Sequence, residues 1–199
     1  MSEEFVQIAK DELKNFNFDK TFMYEIGDNF YFGEPLTHCL LVSDKNTESN
    51  TNFQDYLFNF LKVCSIVENE PSFVFVGKNL DYNKVQITLG GDFYKIREES
   101  ESEILNEEPC FCVVKSFSGA INNLLLTRYE KDEFIKTFVI IDALEDCDAE
   151  KLVPLIKVSH EKGIHFIIHV NNIEEALKKI GKENFKTMEQ NCSLRLMCK

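Results

Sequence analysis

The chain has 199 residues, which suits one domain with a full hydrophobic core. Its formal net charge of −12 argues against non-specific binding to DNA or RNA, because phosphate contacts need clustered lysine and arginine. No apolar run reaches the roughly 18 residues of a membrane span, and the acidic start Met1–Glu4 is unlike a signal peptide.

The first half of the chain predicts short strands around one strong helix. Residues 1–21 are expected to form a helical lead-in, with the helix itself over 3–15, and residues 22–199 to form the core. Apolar residues recur with a 3.6-residue period over 53–67, which indicates an amphipathic helix. The segment 85–89 is predicted as an edge strand. Other strands are predicted at 22–26, 30–32, 37–42 and 73–76.

The second half alternates apolar strands with helices. Strands are predicted at 110–114, 138–141, 164–170 and 193–197. Helices are predicted over 116–129, 148–160 and 173–180. Six glutamates between Arg97 and Pro109 indicate a solvated loop or the polar start of a helix, with a surface for a basic partner as the alternative.

Cysteine and histidine give little support for a metal site. Seven cysteines without framework spacing favour buried free thiols in a reducing cytoplasm. Cys110 and Cys112 alternate on a predicted strand, so a metal pair is the alternative. Two of the four histidines, His165 and His169, lie on one predicted strand without an acidic or cysteine partner at ligand spacing, and structural roles are preferred.

Continuous apolar strands that alternate with helices predict an α/β fold with a mainly parallel sheet covered on both faces. Ligands of such sheets bind beyond the carboxyl ends of the strands. The loop 43–50 and Asp142 are both expected at such ends.

The loop after the 37–42 strand contains the remains of a phosphate-binding motif. A P-loop, G-x-x-x-x-G-K-[ST], would align its glycines with Asp44 and Ser49 and its lysine with Asn50. Its hydroxyl alone is kept, as Thr51. A phosphate cradle needs close backbone approach and positive charge, which this acidic loop lacks.

Three segments together resemble FtsK/SpoIIIE-type ATPase domains. Residues 163–171 (GIHFIIHVN) are similar to the family's G-I-H-L-I-L-A-T-Q strand. Residues 136–144 (KTFVIIDAL) resemble its Walker B strand, and 38–50 (HCLLVSDKNTESN) resemble its strand and loop H-L-L-V-A-G-x-T-G-S-G-K. Order and spacing agree over roughly residues 22–197.

The resemblance implies a RecA-like three-layer sandwich in a single domain of a larger multidomain chain. Within the family, the chain is similar to the last ATPase domain of EssC/EccC-type proteins of type VII secretion. That domain often lacks catalytic motifs and is implicated in substrate binding. The implied partners are secreted protein substrates and neighbouring ATPase domains of the same chain or hexamer. The implied location is the cytoplasmic side of a membrane-bound complex, with no nucleic acid and no membrane insertion in this segment.

Departures from the family motifs predict a domain that is not an enzyme. Asn50 cannot neutralise phosphate charge as the motif lysine does. Ala143 replaces the acid that should follow Asp142, and Asn171 replaces the terminal glutamine. The vestigial site therefore comprises Asp44, Ser49, Asn50, Thr51, Asp142 and Asn171.

No catalytic residue, metal or bound ATP–Mg²⁺ is expected, and the three arginines (97, 128 and 195) are expected in surface roles. The main alternative is an atypical nucleotide site in which Thr51 and Asp142 hold Mg²⁺ and Lys45 reaches a phosphate. A DNA-translocase domain of the same superfamily is a further alternative, against which the net charge counts.

Overall fold

Two β-sheets are present in the part of the chain that the computed structural model describes. The described residues are 22–26, 29–33, 38–43, 53–54, 56–58, 60–62, 71–77, 80–89, 96–98, 109–114, 117, 124, 128, 135–147 and 151–198. The smaller sheet is an antiparallel hairpin of β1 (Phe22–Ile26) and β2 (Asn29–Gly33). Both strands agree with the predictions at 22–26 and 30–32.

The larger sheet has seven strands in the order β5-β6-β4-β7-β8-β3-β9, and every pairing in it is parallel. Its strands are β3 (His38–Ser43), β4 (Ser72–Val76), β5 (Ile96–Glu98), β6 (Phe111–Val114), β7 (Thr137–Ile141), β8 (Ile164–Val170) and β9 (Leu194–Cys198). Residues of β3, β4, β6 and β7 are buried without exception, as expected for strands covered on both faces.

Helices connect the parallel strands. The complete described ones are α1 (Tyr82–Leu89), α2 (Leu152–Ile156), α3 (Ile173–Ile180) and α4 (Lys182–Asn191). The described residues between 53 and 62, and residues 117, 124 and 128, are also helical, in agreement with the predicted helices there. Short 3₁₀ turns occupy Leu144–Asp146 and Ser159–Lys162.

The predicted edge strand at 85–89 is wrong, because these residues belong to α1. Val85 and Leu89 are buried, four positions apart, whereas Ile87 between them is 81% exposed. A strand would turn all three side chains to one face, so this burial pattern fits a helix. The predicted helix over 148–160 is interrupted in its described part: α2 ends at Ile156, and a separate 3₁₀ turn covers Ser159–Lys162. Gly163, with a φ of +65°, follows that turn.

Two hydrophobic clusters lie on opposite faces of the sheet, because alternate strand residues point to opposite sides. One cluster joins residues such as Leu40, Val139 and Ile168 to α2, α3 and α4. The other joins the alternate strand residues to α1 and to the described helical residues between 53 and 62. Helices on both faces of a parallel sheet confirm the predicted α/β, RecA-like three-layer sandwich.

The connections that leave the neighbouring strands β3 and β8 run in opposite directions along the sheet. Those from β3 to β4 and from β4 to β5 run toward the β5 end of the sheet, with helical residues on one face. Those from β7 to β8 and from β8 to β9 run toward the β9 end, with helices on the other face. The neighbours β3 and β8 therefore send the chain to opposite faces, the arrangement in which ligands of parallel sheets bind beyond the carboxyl ends of the strands.

A buried arginine secures the opposite, amino edge of the sheet. Arg128 is fully buried and donates to the carbonyl oxygens of Lys162 (3.0 Å) and Ile135 (2.6 Å) and to the hydroxyl of Thr137 (2.5 Å). The predicted surface role for Arg128 is wrong. Arg195, with 52% of its side chain exposed, does lie at the surface, and the side chain of Arg97 lies outside the described residues.

Three histidines lie together at the same amino edge. The ring of His38 is 6.3 Å from that of His160 and 6.4 Å from that of His165. His38 is buried, its Nδ1 accepts the backbone N–H of Phe166 (3.0 Å), and its Nε2 has no hydrogen-bond partner. Burial, reinforced by the charges of the neighbouring imidazoles, lowers the pKa of His38 to about 3.

Candidate functional site

The polar residues at the carboxyl edge gather where β3, β8 and β7 lie side by side. Ser43 is the last residue of β3, Asp142 follows β7, and His169 is the penultimate residue of β8. Because β8 lies between β3 and β7, its side chain at position 169 lies between Ser43 and Asp142. The sheet order thus brings together residues that are far apart in the sequence.

His169 links the other two residues through both of its ring nitrogens. Its Nε2 lies 2.7 Å from the Ser43 Oγ, and its Nδ1 lies 2.6 Å from the backbone carbonyl oxygen of Asp142. The Asp142 carboxylate Oδ1 is 3.7 Å from the same Nδ1. A hydroxyl, an imidazole and a carboxylate therefore follow one another across three adjacent strands.

Phe53 covers this linked group, since its ring stacks on His169 with centroids 4.0 Å apart and planes 6° from parallel. Phe53 and His169 are almost completely inaccessible to solvent, at 1% and 0% exposure, and Ser43 is 4% exposed. The side chain of Asp142 keeps 11% exposure. Water has little access to the imidazole, and the ring plane is fixed from one side.

Close packing also fixes the position of Asp142. A Cβ added to Gly77 would lie 2.7 Å from the Asp142 Cβ and 2.8 Å from the Phe75 ring. Only glycine allows the chain after β4 to approach Asp142 this closely. The amide N–H of Asp142 donates to the carbonyl oxygen of Val76 (3.0 Å), so backbone and side chain are both held.

A second carboxyl group, that of Glu145, interacts electrostatically with His169. Glu145, in the 3₁₀ turn after β7, has a buried Oε2 without a hydrogen-bond partner, and burial raises the pKa of this carboxyl. Its backbone carbonyl accepts the Lys179 ammonium of α3 at 2.5 Å. The nearby Cys147 thiol is also buried, and burial raises its pKa to about 12, so it is not a reactive thiolate at neutral pH.

Two of the six predicted site residues are described. Asp142 lies at the carboxyl edge as expected, and Asn171 lies half-buried one residue beyond β8. Asp44, Ser49, Asn50 and Thr51 lie outside the described residues. Sequence reasoning missed Ser43, His169, Glu145 and Phe53 as site residues. The available signal was positional, since Ser43 and His169 lie within the two segments that resemble the ATPase motifs.

The described residues offer no metal centre: among them, no three His, Cys, Asp or Glu side chains are placed to hold a metal ion. Cys110 and Cys112 are both buried. None of the helices in the described part of the chain is both long and apolar enough to cross a membrane.

No protein-family model and no curated protein matches the sequence. Among solved structures, the chain is similar to the cytoplasmic domain of the Thermomonospora curvata type VII secretion ATPase EccC. The sequences are 10% identical, the likeness covers 89% of this chain and 22% of that chain, and the TM-score is 0.47. The chain thus spans about a fifth of the length of that solved chain.

Proposed function

We propose that this chain is a RecA-like module of a type VII secretion motor that binds protein partners and does not hydrolyse ATP. The observation behind the proposal is that Ser43 and Asp142, at the ends of two motif-bearing strands, both contact His169 beneath Phe53. In a working motor, polar groups at this edge would face phosphate and Mg²⁺ instead of each other.

The missing charges support the absence of turnover. Asn50 replaces the phosphate-binding lysine, and Ala143 replaces the acid that would orient the attacking water. Each such electrostatic group typically supplies about 3 kcal/mol of transition-state stabilisation. Loss of both would slow hydrolysis by roughly four orders of magnitude, which leaves no useful rate.

The resemblance of 38–50, 136–144 and 163–171 to the FtsK/SpoIIIE-type motifs gives the proposal its secretion context. These three segments contain β3, β7 and β8, adjacent strands of one parallel sheet. The proposed partners are secreted protein substrates and neighbouring ATPase modules of the motor, met on the cytoplasmic side of the membrane complex. The net charge of −12 supports protein partners over nucleic acid.

Phosphate release and thermal unfolding with millimolar Mg-ATP test the first half of the proposal. We expect no phosphate release above a buffer blank. We also expect no rise in Tm, since a rise would mean that bound nucleotide stabilises the folded state. A rise in Tm that needs Mg²⁺, with turnover that disappears in Asp142→Ala, would refute it.

A repair series tests whether the loop descends from a P-loop. Asp44→Gly, Ser49→Gly and Asn50→Lys restore the phosphate cradle, and Ala143→Glu restores the acid. We expect the triple variant to bind nucleotide weakly without turnover. If the quadruple variant folds and still shows no Tm change with Mg-ATP, the alignment of this loop with a P-loop is wrong.

Partner binding needs its own assay. Secreted proteins encoded beside this chain's gene should bind the purified chain in a titration, and they should not bind after thermal unfolding. An upstream coding region with further ATPase domains and a membrane segment would support the secretion context. The context would be refuted if this region encoded neither and the neighbouring secreted proteins bound no more tightly than an unrelated acidic protein.

One observation favours a second candidate function, an atypical nucleotide site. Glu145 places a buried, unpartnered carboxyl oxygen three residues after Asp142, where it could replace the acid lost at Ala143. In that case Glu145→Gln would abolish any Mg-ATP-dependent phosphate release while leaving the Tm rise with nucleotide. Absence of both signals in the unaltered chain rejects this candidate.

A further inference from the structure

The hydrogen bonds around His169 fix the direction in which its protons point. A carbonyl oxygen can only accept, so the 2.6 Å contact with the Asp142 backbone requires a proton on Nδ1. In the neutral imidazole, Nε2 then has a lone pair and no proton. The Ser43 hydroxyl, 2.7 Å away, therefore donates its proton to Nε2.

This arrangement is that of an activated serine nucleophile. A general base within hydrogen-bond reach of the hydroxyl, itself oriented by a third group, is the geometric signature of nucleophilic catalysis on unrelated folds. Here Asp142 orients His169 through its carbonyl oxygen, with its carboxylate 3.7 Å from Nδ1, where it can stabilise an imidazolium. Phe53 holds the ring plane and keeps water from the base.

The position in the fold suits a reacting group. Ser43 ends β3, whose chain continues to one face of the sheet, whereas β8 continues to the other. The hydroxyl therefore lies at the carboxyl edge, between two paired strands whose connections leave to opposite faces, the usual place for a ligand of a parallel sheet.

We propose that Ser43 is a catalytic nucleophile that takes acyl groups from small activated esters, with His169 as its general base and Asp142 as a positioning residue. Ser43 Oγ bonds to the acyl carbon while its proton passes to His169 Nε2. The ester C–O bond breaks, and the leaving alcohol takes the proton from Nε2. The acyl-serine then persists, because Phe53 keeps water from His169.

A fluorophosphonate probe tests the nucleophile directly, because it captures an activated serine: Oγ bonds to phosphorus and fluoride leaves with the proton. We expect stoichiometric labelling of the folded wild-type chain at Ser43, located by peptide mass spectrometry. Ser43→Ala should remove the label. His169→Gln should slow labelling by at least about 100-fold, since general-base catalysis is typically worth 10²–10⁴.

Ser193 provides a matched internal control. It is more exposed than Ser43, and its hydroxyl donates to the His38 carbonyl oxygen (3.2 Å) instead of to a base. Labelling governed by exposure would favour Ser193, whereas labelling governed by activation would favour Ser43. The label pattern therefore separates the two explanations within one sample.

Variants must melt cooperatively for the comparison to count. If His169→Gln does not fold, p-nitrophenyl acetate decides with the wild-type chain alone, through a nitrophenolate burst of about one equivalent and an acetyl group on Ser43. An unlabelled wild-type Ser43, or labelling at Ser43 that His169→Gln leaves unchanged in a folded protein, overturns the proposal. The ATP assays do not depend on the reactivity of Ser43, so either proposal can be refuted without the other.

Discussion

Replacement of the buried Arg128 by methionine should be among the most destabilising single changes at the amino edge of the sheet. Methionine keeps an unbranched apolar side chain of similar length, and the guanidinium is lost. The carbonyl oxygens of Ile135 and Lys162 and the hydroxyl of Thr137 then lose a charged donor. These groups precede or begin β7 and β8, so the loss affects two central strands together.

The expected magnitude follows from those contacts. Hydrogen bonds to charged groups contribute about 1.5–3 kcal/mol each, and an acceptor left unsatisfied in the interior costs about 1–3 kcal/mol. Removal of a desolvated charge offsets part of this loss. A net loss of about 3–5 kcal/mol is expected, which is a large fraction of a typical total of about 5–15 kcal/mol.

Urea unfolding followed by circular dichroism gives the measurement, with the free energies compared at constant m-value. Arg195→Met is the control, because that half-exposed side chain should change stability by less than about 0.5 kcal/mol. Arg128→Lys should fall between the two, since an ammonium cannot reproduce the planar fork of donors. A loss below about 1 kcal/mol in Arg128→Met, with unchanged m, would refute the anchoring role.

Three further changes test the core, the histidine cluster and the packing at the site. Ile140→Asp should prevent folding, because an unpaired buried carboxylate costs several kcal/mol, and a cooperative melt of that variant would contradict the burial of β7. His38 has a pKa of about 3 in the folded state and 6.5 in the unfolded state, so the unfolded state binds the proton first as the pH is lowered. The free energy of unfolding therefore decreases as the pH drops below 6.5. From pH 6.5 to 5 the wild type should lose about 2 kcal/mol more than His38→Asn, and equal pH profiles in urea titrations would exclude this role. Gly77→Ala should displace Asp142 and lower Tm by several degrees, whereas an unchanged Tm would show that the neighbouring backbone yields easily.

The central strands could be predicted from sequence because their burial leaves a simple pattern. Residues 164–170, between Gly163 and Asn171, are apolar except for His165 and His169, and β8 occupies those residues. α1 was mistaken for a strand because only two of its residues are buried, which gives too short a pattern to reveal its period. α4 was missed for a related reason: most of its residues are polar, and Phe185 and Met188 alone are buried.

The candidate site was harder to predict, since strand order decides which residues meet. The sequence suggested Asp142 because it ends an apolar strand. It gave no reason to place His169 between Asp142 and Ser43, because that contact depends on β8 lying between β7 and β3. Arg128 was misjudged for the same kind of reason: its partners are mainly backbone carbonyls, which no residue pattern reveals.

The position of β3 has a consequence for the way the chain is made. β3 pairs with β8 and β9, whose contacting residues come 128 and 155 positions later in the sequence. At about 5–20 residues per second, a ribosome needs roughly 6–25 s to reach β8 after it has made β3. During that interval a strand that is fully buried in the fold has neither neighbour, so the nascent chain should be a substrate for chaperones that shield exposed hydrophobic segments. Synthesis rate and chaperone supply should therefore affect its soluble yield more than they affect a protein whose strands pair with near neighbours.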